Sequence, residues 1–439
     1  MKIEPETRAH AENLLRFIDA SPSPWHAVEM IKRSLEENSF CELKESDSWS
    51  LGPGGRHYVV RDGSSIIAFV TGDQAPTETG YRIIGAHTDS PGLRIKPNPV
   101  TQSGGMSRIG VEVYGGPILA TFTDRDLSLA GRVAIMDGGG RFSTRLIHIE
   151  KPLLRLPNLA IHMNRKVNEK GLLLHIQNEL PLILSNSNGE DSDGKDFLNL
   201  LARQVDTKID SITAWDLAIF DTQRGTLYGP DDEFLANSQL DNLASCHAAL
   251  TALLSEEALE GETTRVCAFF DHEEIGSESL KGADSSFLPD VLERISLARN
   301  QTREAYKRAL ATSFLISADM AHAYQPNFAS AYEPDHRVRV NHGPVIKINA
   351  NQRYTSESIS DSRFIQLCSE AGVPWQKYNH RSNLPCGSTI GPITSAKLGI
   401  RSVDVGCPLW AMHSIRESAG VLDHEYMTRA MTRFFNQEI

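Results

Sequence analysis

The chain predicts an α/β fold interrupted by a β-rich insertion, and three observations carry that prediction. Apolar stretches rich in β-branched and aromatic residues alternate with amphipathic stretches at helical spacing in both outer parts of the sequence. Several of the apolar stretches end abruptly in histidine or carboxylate side chains, as in an open sheet whose carboxyl-terminal strand ends carry a site. From about Arg94 to Phe234 the pattern changes to β-like stretches separated by Pro- and Gly-containing turns, which reads as a second unit inserted into the first.

The 439 residues suffice for two domains, or for one large domain with an insertion. A hydrophobic share of 40% and a charged share of 23% are ordinary for a soluble globular protein. The formal net charge of −12 argues against nucleic acid or an anionic membrane as the main partner. The six cysteines lack CxxC spacing, so neither a zinc-thiolate site nor a disulfide framework is expected, and reduced thiols in a cytoplasmic protein are. The opening MKIEPETRAHAENLL lacks the basic start and apolar stretch of a signal peptide. There is no apolar run of about 18 residues, the length a spanning helix needs.

In chain order, Pro5 to Phe17 reads as a helix with Leu14, Leu15 and Ile18 on its apolar face. SPSPWHAV then turns into a second helix, Ala27 to Glu37, with Trp25 and His26 read as a packed aromatic and a capping histidine. Arg56 to Val70 alternates around Asp62-Gly63, a hairpin signal. Tyr81 to His87 is an apolar strand that runs into His87-Thr88-Asp89-Ser90-Pro91. Histidine is the commonest metal ligand and needs an acceptor to fix its tautomer, a role within reach of Asp89.

Inside the insertion, Gly110 to Tyr114, Gly131 to Ile135 and Ala214 to Phe220 are β-like, and the polar stretch Asn186 to Asp196 reads as a mobile loop. Asn158 to Arg165 reads as an apolar strand carrying His162, which by itself suggests a packed side chain.

Past Phe234, Asp241 precedes a helix from Leu243 to Leu254, where an N-capping carboxylate is favoured for structural reasons alone. Thr263 to Phe270 is a buried strand leading to Asp271-His272-Glu273-Glu274. Two adjacent carboxylates at a strand end suit a division between holding a metal and moving protons, although a Glu-Glu pair alone also reads as a solvated turn. Leu288 to Leu310 is helical, and Ser313 to Ala318 is a strand ending in Asp319. Val345 to Asn349 is a strand carrying Lys347, readable either as a functional cation or as a lysine whose stem lies along apolar surface. Ser358 to Ala371 is a helix, Pro385 to Pro392 a Gly-rich turn and Gly399 to Val405 a strand. His413 follows, and a helix from Asp423 to Phe435 ends the order.

His87, Asp241, Glu273 or Glu274, Asp319 and His413 offer two histidines and three carboxylates, which is what a catalytic pair of divalent cations needs if one carboxylate bridges them. The HExxH arrangement is absent.

The segments AHTDSPG, SQLDN, FDHEEIGS, ISADMAHA, HGPVIKIN with NQRY, PCGSTIGP and AMHSIRE resemble those of the aspartyl aminopeptidase family, in order, from about Phe17 to the carboxyl terminus. The resemblance implies a co-catalytic metallo-aminopeptidase acting on peptides with amino-terminal Asp or Glu. His87 and Asp319 would serve one metal, Glu274 and His413 the other, and Asp241 both. Asp89 would orient His87, and Glu273 would be the general base. Lys347 would pair with an acidic substrate side chain, with Tyr354, His322 and the Gly387 backbone lining the substrate site. His162 would reach a neighbouring subunit's site. A histidine that some relatives have downstream of His322 is Gln325 here. Two ions per subunit are implied, zinc first, with cobalt or manganese acceptable to the same donors.

The implied fold is a mixed-sheet α/β/α catalytic domain of residues 1–91 plus 234–439, with 92–233 an inserted, mainly β dimerisation domain. The implied assembly is a dodecamer built from dimers. The competing readings are a related co-catalytic carboxypeptidase or amide deacylase, gripping a carboxylate through Arg353 or Arg381, and a self-assembling particle with secondary catalysis.

Overall fold

The computed structural model describes residues 3–186 and 194–437. Among the described residues, nine strands form the main sheet, in the spatial order Cys41–Glu42, Arg56–Arg61, Ser65–Val70, Thr264–Phe270, Tyr81–His87, Phe314–Ala318, Arg401–Gly406, Val345–Ile348 and Gln376–Asn379. Tyr81–His87 lies at its centre, parallel to Thr264–Phe270 on one side and to Phe314–Ala318 on the other. The antiparallel pairings of Ser65–Val70 with Thr264–Phe270 and of Val345–Ile348 with Arg401–Gly406 make the sheet mixed.

The central strands are apolar throughout because both of their faces are covered. Alternate residues enter opposite layers. Ile84 and Ala86, with Cys267 and Phe269, pack against helices Pro5–Asp19, Pro24–Glu37, Leu240–Leu253, Ser358–Glu370 and Val421–Phe435. Tyr81 and Ile83, with Val266, Ala268 and Phe270, pack against helices Phe287–Ala298, Arg303–Thr312 and Ile390–Leu398. The result is a three-layer α/β/α arrangement.

Strands Gly92–Ser103, Met106–Tyr114, Leu127–Met136, Phe142–His148, Leu182–Asn186 and Ile212–Asp221 form a separate six-stranded sheet. Its pairings are antiparallel, and Leu93, Ile109, Leu129, Val133 and Leu217 contribute to its own core. A third sheet joins Thr226–Tyr228 and Phe234–Asn237 to Glu417–Gly420, Pro408–Trp410 and Ala321–His322.

Local chemistry accounts for most boundaries. Asp62 and Gly63 both take positive φ in the tight hairpin. The second helix begins at Pro24 rather than Ala27, because proline is suited to a first helical turn. The continuous helix read across Leu288 to Leu310 is instead two, Phe287–Ala298 and Arg303–Thr312. Asn300 adopts left-handed backbone between them, and the Thr302 hydroxyl accepts from the Ala305 N–H to cap the second.

The strand expected at Asn158 to Arg165 is absent. That segment is irregular, with a turn at Ile161 to Met163, and His162 is exposed. The Asn158 amide donates to Thr123 and Asp124 at the start of this segment. Residues 187–193 of the stretch read as a mobile loop lie outside the described residues, and its ends belong to strand Leu182–Asn186 and helix Lys195–Gln204.

Candidate metal centre

Parallel pairing aligns Phe270 with His87, so the Glu273-Glu274 turn emerges beside the His87 strand end. Asp319 follows the neighbouring strand on the other side. Its N–H donates to the Val405 carbonyl (2.9 Å), and Gly406 permits this approach, since a Cβ there would sit 1.8 Å from the Asp319 carbonyl oxygen. Asp241 enters from the start of helix Leu240–Leu253, and His413 from the loop after Pro408–Trp410.

Asp241 faces both ways. Its Oδ1 lies 3.5 Å from His87 Nε2, which is 3.6 Å from Asp319 Oδ1. Its Oδ2 lies 3.5 Å from His413 Nε2, which is 3.4 Å from Glu274 Oε2. Two donor triads, His87/Asp241/Asp319 and Asp241/Glu274/His413, therefore share Asp241, and Glu273 joins Glu274 beside His87.

The histidine tautomers follow from their partners. His87 Nδ1 is 3.0 Å from the Asp89 carbonyl oxygen, and His413 Nδ1 is 3.0 Å from the Gly116 carbonyl oxygen. A carbonyl only accepts, so each Nδ1 carries a proton, and Nε2 is the ring atom aimed at the carboxylates and free to exchange its proton for a cation. Asp89 thus orients His87 through its main chain. Its carboxylate, 3.5 Å from His87 Nδ1, accepts instead from the Glu273 and Glu274 N–H groups (3.1 Å each) and from the Tyr114 hydroxyl (2.7 Å).

The electrostatics are those of crowded, dehydrated anions. Burial is the largest influence on Glu273 and pushes it up to about 8; His87 pulls it down and Asp319, Asp89 and Asp241 add to the rise. Burial and Asp241 likewise drive Glu274 well above the ordinary carboxylate range. Burial would lower His87 and raise Asp241, but their mutual contact and their other partners win, holding His87 far above and Asp241 far below its usual value. His413 rises to about 9 through Asp241, against its own burial. Protons are thus drawn to positions that cations would neutralise.

The residues fit a divalent metal. Imidazole nitrogen with carboxylate oxygen is a zinc donor set, and two donors each about 2 Å from one tetrahedral ion stand about 3.3 Å apart. The N–O separations above are close to that and longer than a good hydrogen bond. Asp241 Oδ1 is buried yet accepts no hydrogen bond among the described residues.

The other expected residues divide. Lys347 is buried, its Nζ 3.3 Å from Asp319 Oδ2, 3.1 Å from the Met320 carbonyl oxygen and 5.1 Å from the Tyr354 ring centre. Tyr354 packs with Tyr378 and Cys386. His322 packs near Tyr378 and His380, and burial, then Lys347, lower it to about 4. Gly387 is exposed, and its carbonyl oxygen lies 3.4 Å from Arg353 Nε, so its loop is tied to Arg353. Exposed His162 is not among the clustered donors.

Glu417 was missed. It is buried, accepting from the Asp241 N–H (2.9 Å) and the His413 N–H (2.7 Å), one oxygen each. Its sequence signals are its place at the end of the AMHSIRE segment, four positions after His413, and the stretch of small residues that follows.

A family profile described as "Aminopeptidase I zinc metalloprotease (M18)" matches residues 17–435. The chain is 44% identical over 428 residues to a "Probable M18 family aminopeptidase 2" of Clostridium acetobutylicum, covering 97% of this chain and 98% of that protein. Among solved structures, it is similar to a chain in the cryo-EM structure of the Ape4 and Nbr1 complex (TM-score 0.95, 37% identity, 99% of this chain and 88% of that one). It is also similar to a chain of the S. cerevisiae mApe1 dodecamer (TM-score 0.84, 27% identity, 97% and 96% covered). On the span of the profile match and the identity to these relatives, the chain belongs to the M18 family of zinc metallo-aminopeptidases.

Proposed function

We propose that this aminopeptidase removes amino-terminal Asp or Glu from peptides, using two zinc ions per chain. The observation that carries the reading is the pair of donor triads sharing Asp241, with Glu273 beside them. His87, Asp241 and Asp319 would hold one ion, and Asp241, Glu274 and His413 the other. When bound, the ions supply Lewis acidity, polarising a scissile carbonyl and acidifying water. Glu273 takes the proton of the attacking water on its carboxylate and returns it to the departing amine. The Asp89 carboxylate holds the Glu273 and Glu274 backbone, and the Asp89 carbonyl holds the His87 ring.

Lys347, with His322 and Tyr354 around it, supports the acidic preference: a buried ammonium between Asp319 and an aromatic ring is placed to share its charge with a second carboxylate. For the assembly, residues 92–233 serve as a dimerisation domain within a dodecamer, the state named for the S. cerevisiae relative. Exposed Leu159, Ile161 and Met163 flank His162, and apolar side chains in that setting suit contact with a neighbouring subunit.

Cleavage of Asp, Glu, Leu, Ala and Lys aminoacyl reporters, with and without chelator, tests the reading. Chelator-sensitive release confined to Asp and Glu supports both parts. Chelator-sensitive release of Leu or Ala keeps the metal chemistry and removes the acidic preference. With Lys347→Ala, kcat/KM should fall at least about tenfold more on Asp reporters than on neutral ones, and an equal loss on both would remove Lys347 from substrate recognition.

A further inference from the structure

One short segment of the inserted domain is hydrogen-bonded to the loops of the metal centre. At the end of strand Met106–Tyr114, the half-buried Tyr114 sends its hydroxyl 2.7 Å from Asp89 Oδ2. That same carboxylate accepts from the N–H groups of Glu273 and Glu274. The Arg94 guanidinium lies over the Tyr114 ring, 4.4 Å from its centre, and fixes the ring from the adjacent strand.

The next residue is Gly115, at φ +64°. A Cβ there would come within 3.2 Å of Glu274 Cβ and 3.3 Å of the Glu274 carbonyl oxygen, so its bare backbone lies against the Glu274 turn. Gly116 then offers its carbonyl to His413 Nδ1, and the Ile118 N–H donates to the His413 carbonyl (2.9 Å). The Thr121 hydroxyl accepts from the Ile415 N–H (3.0 Å), and the Ile415 side chain is buried in the inserted domain's own core. One stretch of eight residues, Tyr114 to Thr121, therefore grips both loops that bring Glu273, Glu274 and His413 to the site.

We propose that residues 114–121 of the inserted domain form a positioning clasp for the zinc centre, in which the Tyr114 hydroxyl, acting through Asp89, sets the Glu273-Glu274 turn. This rests on the roles proposed above for Glu273 and Glu274. Tyr114 and Gly115 are positioning residues. The inserted domain is then part of the catalytic centre as well as an interface element, and a displacement of its sheet is transmitted to one metal-binding triad.

Tyr114→Phe removes only the hydroxyl and conserves the volume. Groups that orient metal ligands typically change activity or metal affinity by 10- to 100-fold when lost. The expected result is about a tenfold fall in kcat with KM within about twofold, together with faster zinc loss to a chelator at constant concentration. Gly115→Ala, which crowds Glu274 directly, should speed zinc loss further even where its activity is low. Tyr114→Phe matching the wild type in both kcat and chelator kinetics overturns the clasp. A fall in melting temperature alone, with both site readouts unchanged, also overturns it, because that is a purely structural role. Glu273→Gln in parallel separates the two readings: an inactive Glu273→Gln beside a wild-type-like Tyr114→Phe removes the clasp alone. An active Glu273→Gln with chelator-insensitive turnover removes the site assignment itself.

Discussion

At the residue scale, the centre depends on groups that hold its donors as much as on the donors. Glu273 lies among buried carboxylates, and its side chain makes no hydrogen bond among the described residues, so its exchange for glutamine should be tolerated by the fold. Glu273→Gln should retain zinc and lower kcat by roughly 10²–10⁴, the usual share of a general base. Turnover within about tenfold of wild type would transfer that role to another group. Glu417 is the sharper case. Each oxygen faces one backbone N–H, of Asp241 and of His413, and burial pushes its carboxyl up to about 8, with Asp241 adding to the rise and both N–H groups opposing it. Glu417→Gln sets an amide donor against one of those N–H groups, at a cost of about 1–3 kcal/mol. Zinc affinity by chelator competition should fall by roughly ten- to hundredfold, and an unchanged affinity would mean that the backbone of Asp241 and His413 is held by the sheet alone.

At the element scale, three helices meet over one face of the main sheet through histidines. His10 from Pro5–Asp19, His247 from Leu240–Leu253 and His424 from Val421–Phe435 cluster, with His10 and His424 stacked at 4.6 Å and His247 Nδ1 2.8 Å from His424 Nε2. His247 Nε2 is 2.8 Å from Asn13 Oδ1. Burial, then His10, lowers His247 to about 3, and burial, then His10 and His247, holds His424 well below its ordinary value. Both are neutral in the fold, whereas the unfolded chain takes up protons near pH 6.5. Their contribution is complete above about pH 6.5 and declines as the pH falls toward the folded values, by about 1.4 kcal/mol per unit for each group. Urea midpoints should therefore drop between pH 6.5 and 5, and the drop should be shallower in His247→Gln. Equal pH slopes in the two proteins would show that the cluster is hydrated or protonated in the fold.

At the scale of the whole molecule, the insertion presents Leu159, Ile161 and Met163 to solvent in the single chain, at 68%, 47% and 76% exposure. Three large apolar side chains within five residues are costly to leave in water, and burying each against a neighbour would recover about 1.5–3 kcal/mol. The double variant Leu159→Asp/Met163→Asp should reduce the particle mass by light scattering while leaving the monomer's melting profile close to wild type. A dodecamer-sized particle that survives the change would place this turn outside the subunit contacts.

The alternation of apolar residues made the central strands readable, because a strand buried on both faces admits little else. Chemistry at strand ends stood out for the same reason: His87, Glu273, Glu274 and Asp319 break apolar runs at the points where the chain leaves the sheet. These features are local, so the sequence by itself determined the α/β class and which side chains were available as donors. The break between the helices at Arg299 to Thr302 was local too, but one capping threonine is a weak signal inside a charged helical pattern. Only the tertiary structure decided the rest. It alone put an exposed turn at His162 where a strand was expected, with Asn158 hydrogen-bonded to Thr123 and Asp124. It alone turned the two oxygens of Asp241 toward different histidines, although His87 and His413 lie 326 residues apart in the numbering of the chain. Glu417 and Tyr114 act through hydrogen bonds to backbone and carboxylate groups far along the chain, and such bonds leave no periodicity to read. The sequence determines which groups can do the chemistry; their distances and tautomers are set by parallel register and by backbone carbonyls, which every residue possesses and no sequence pattern marks.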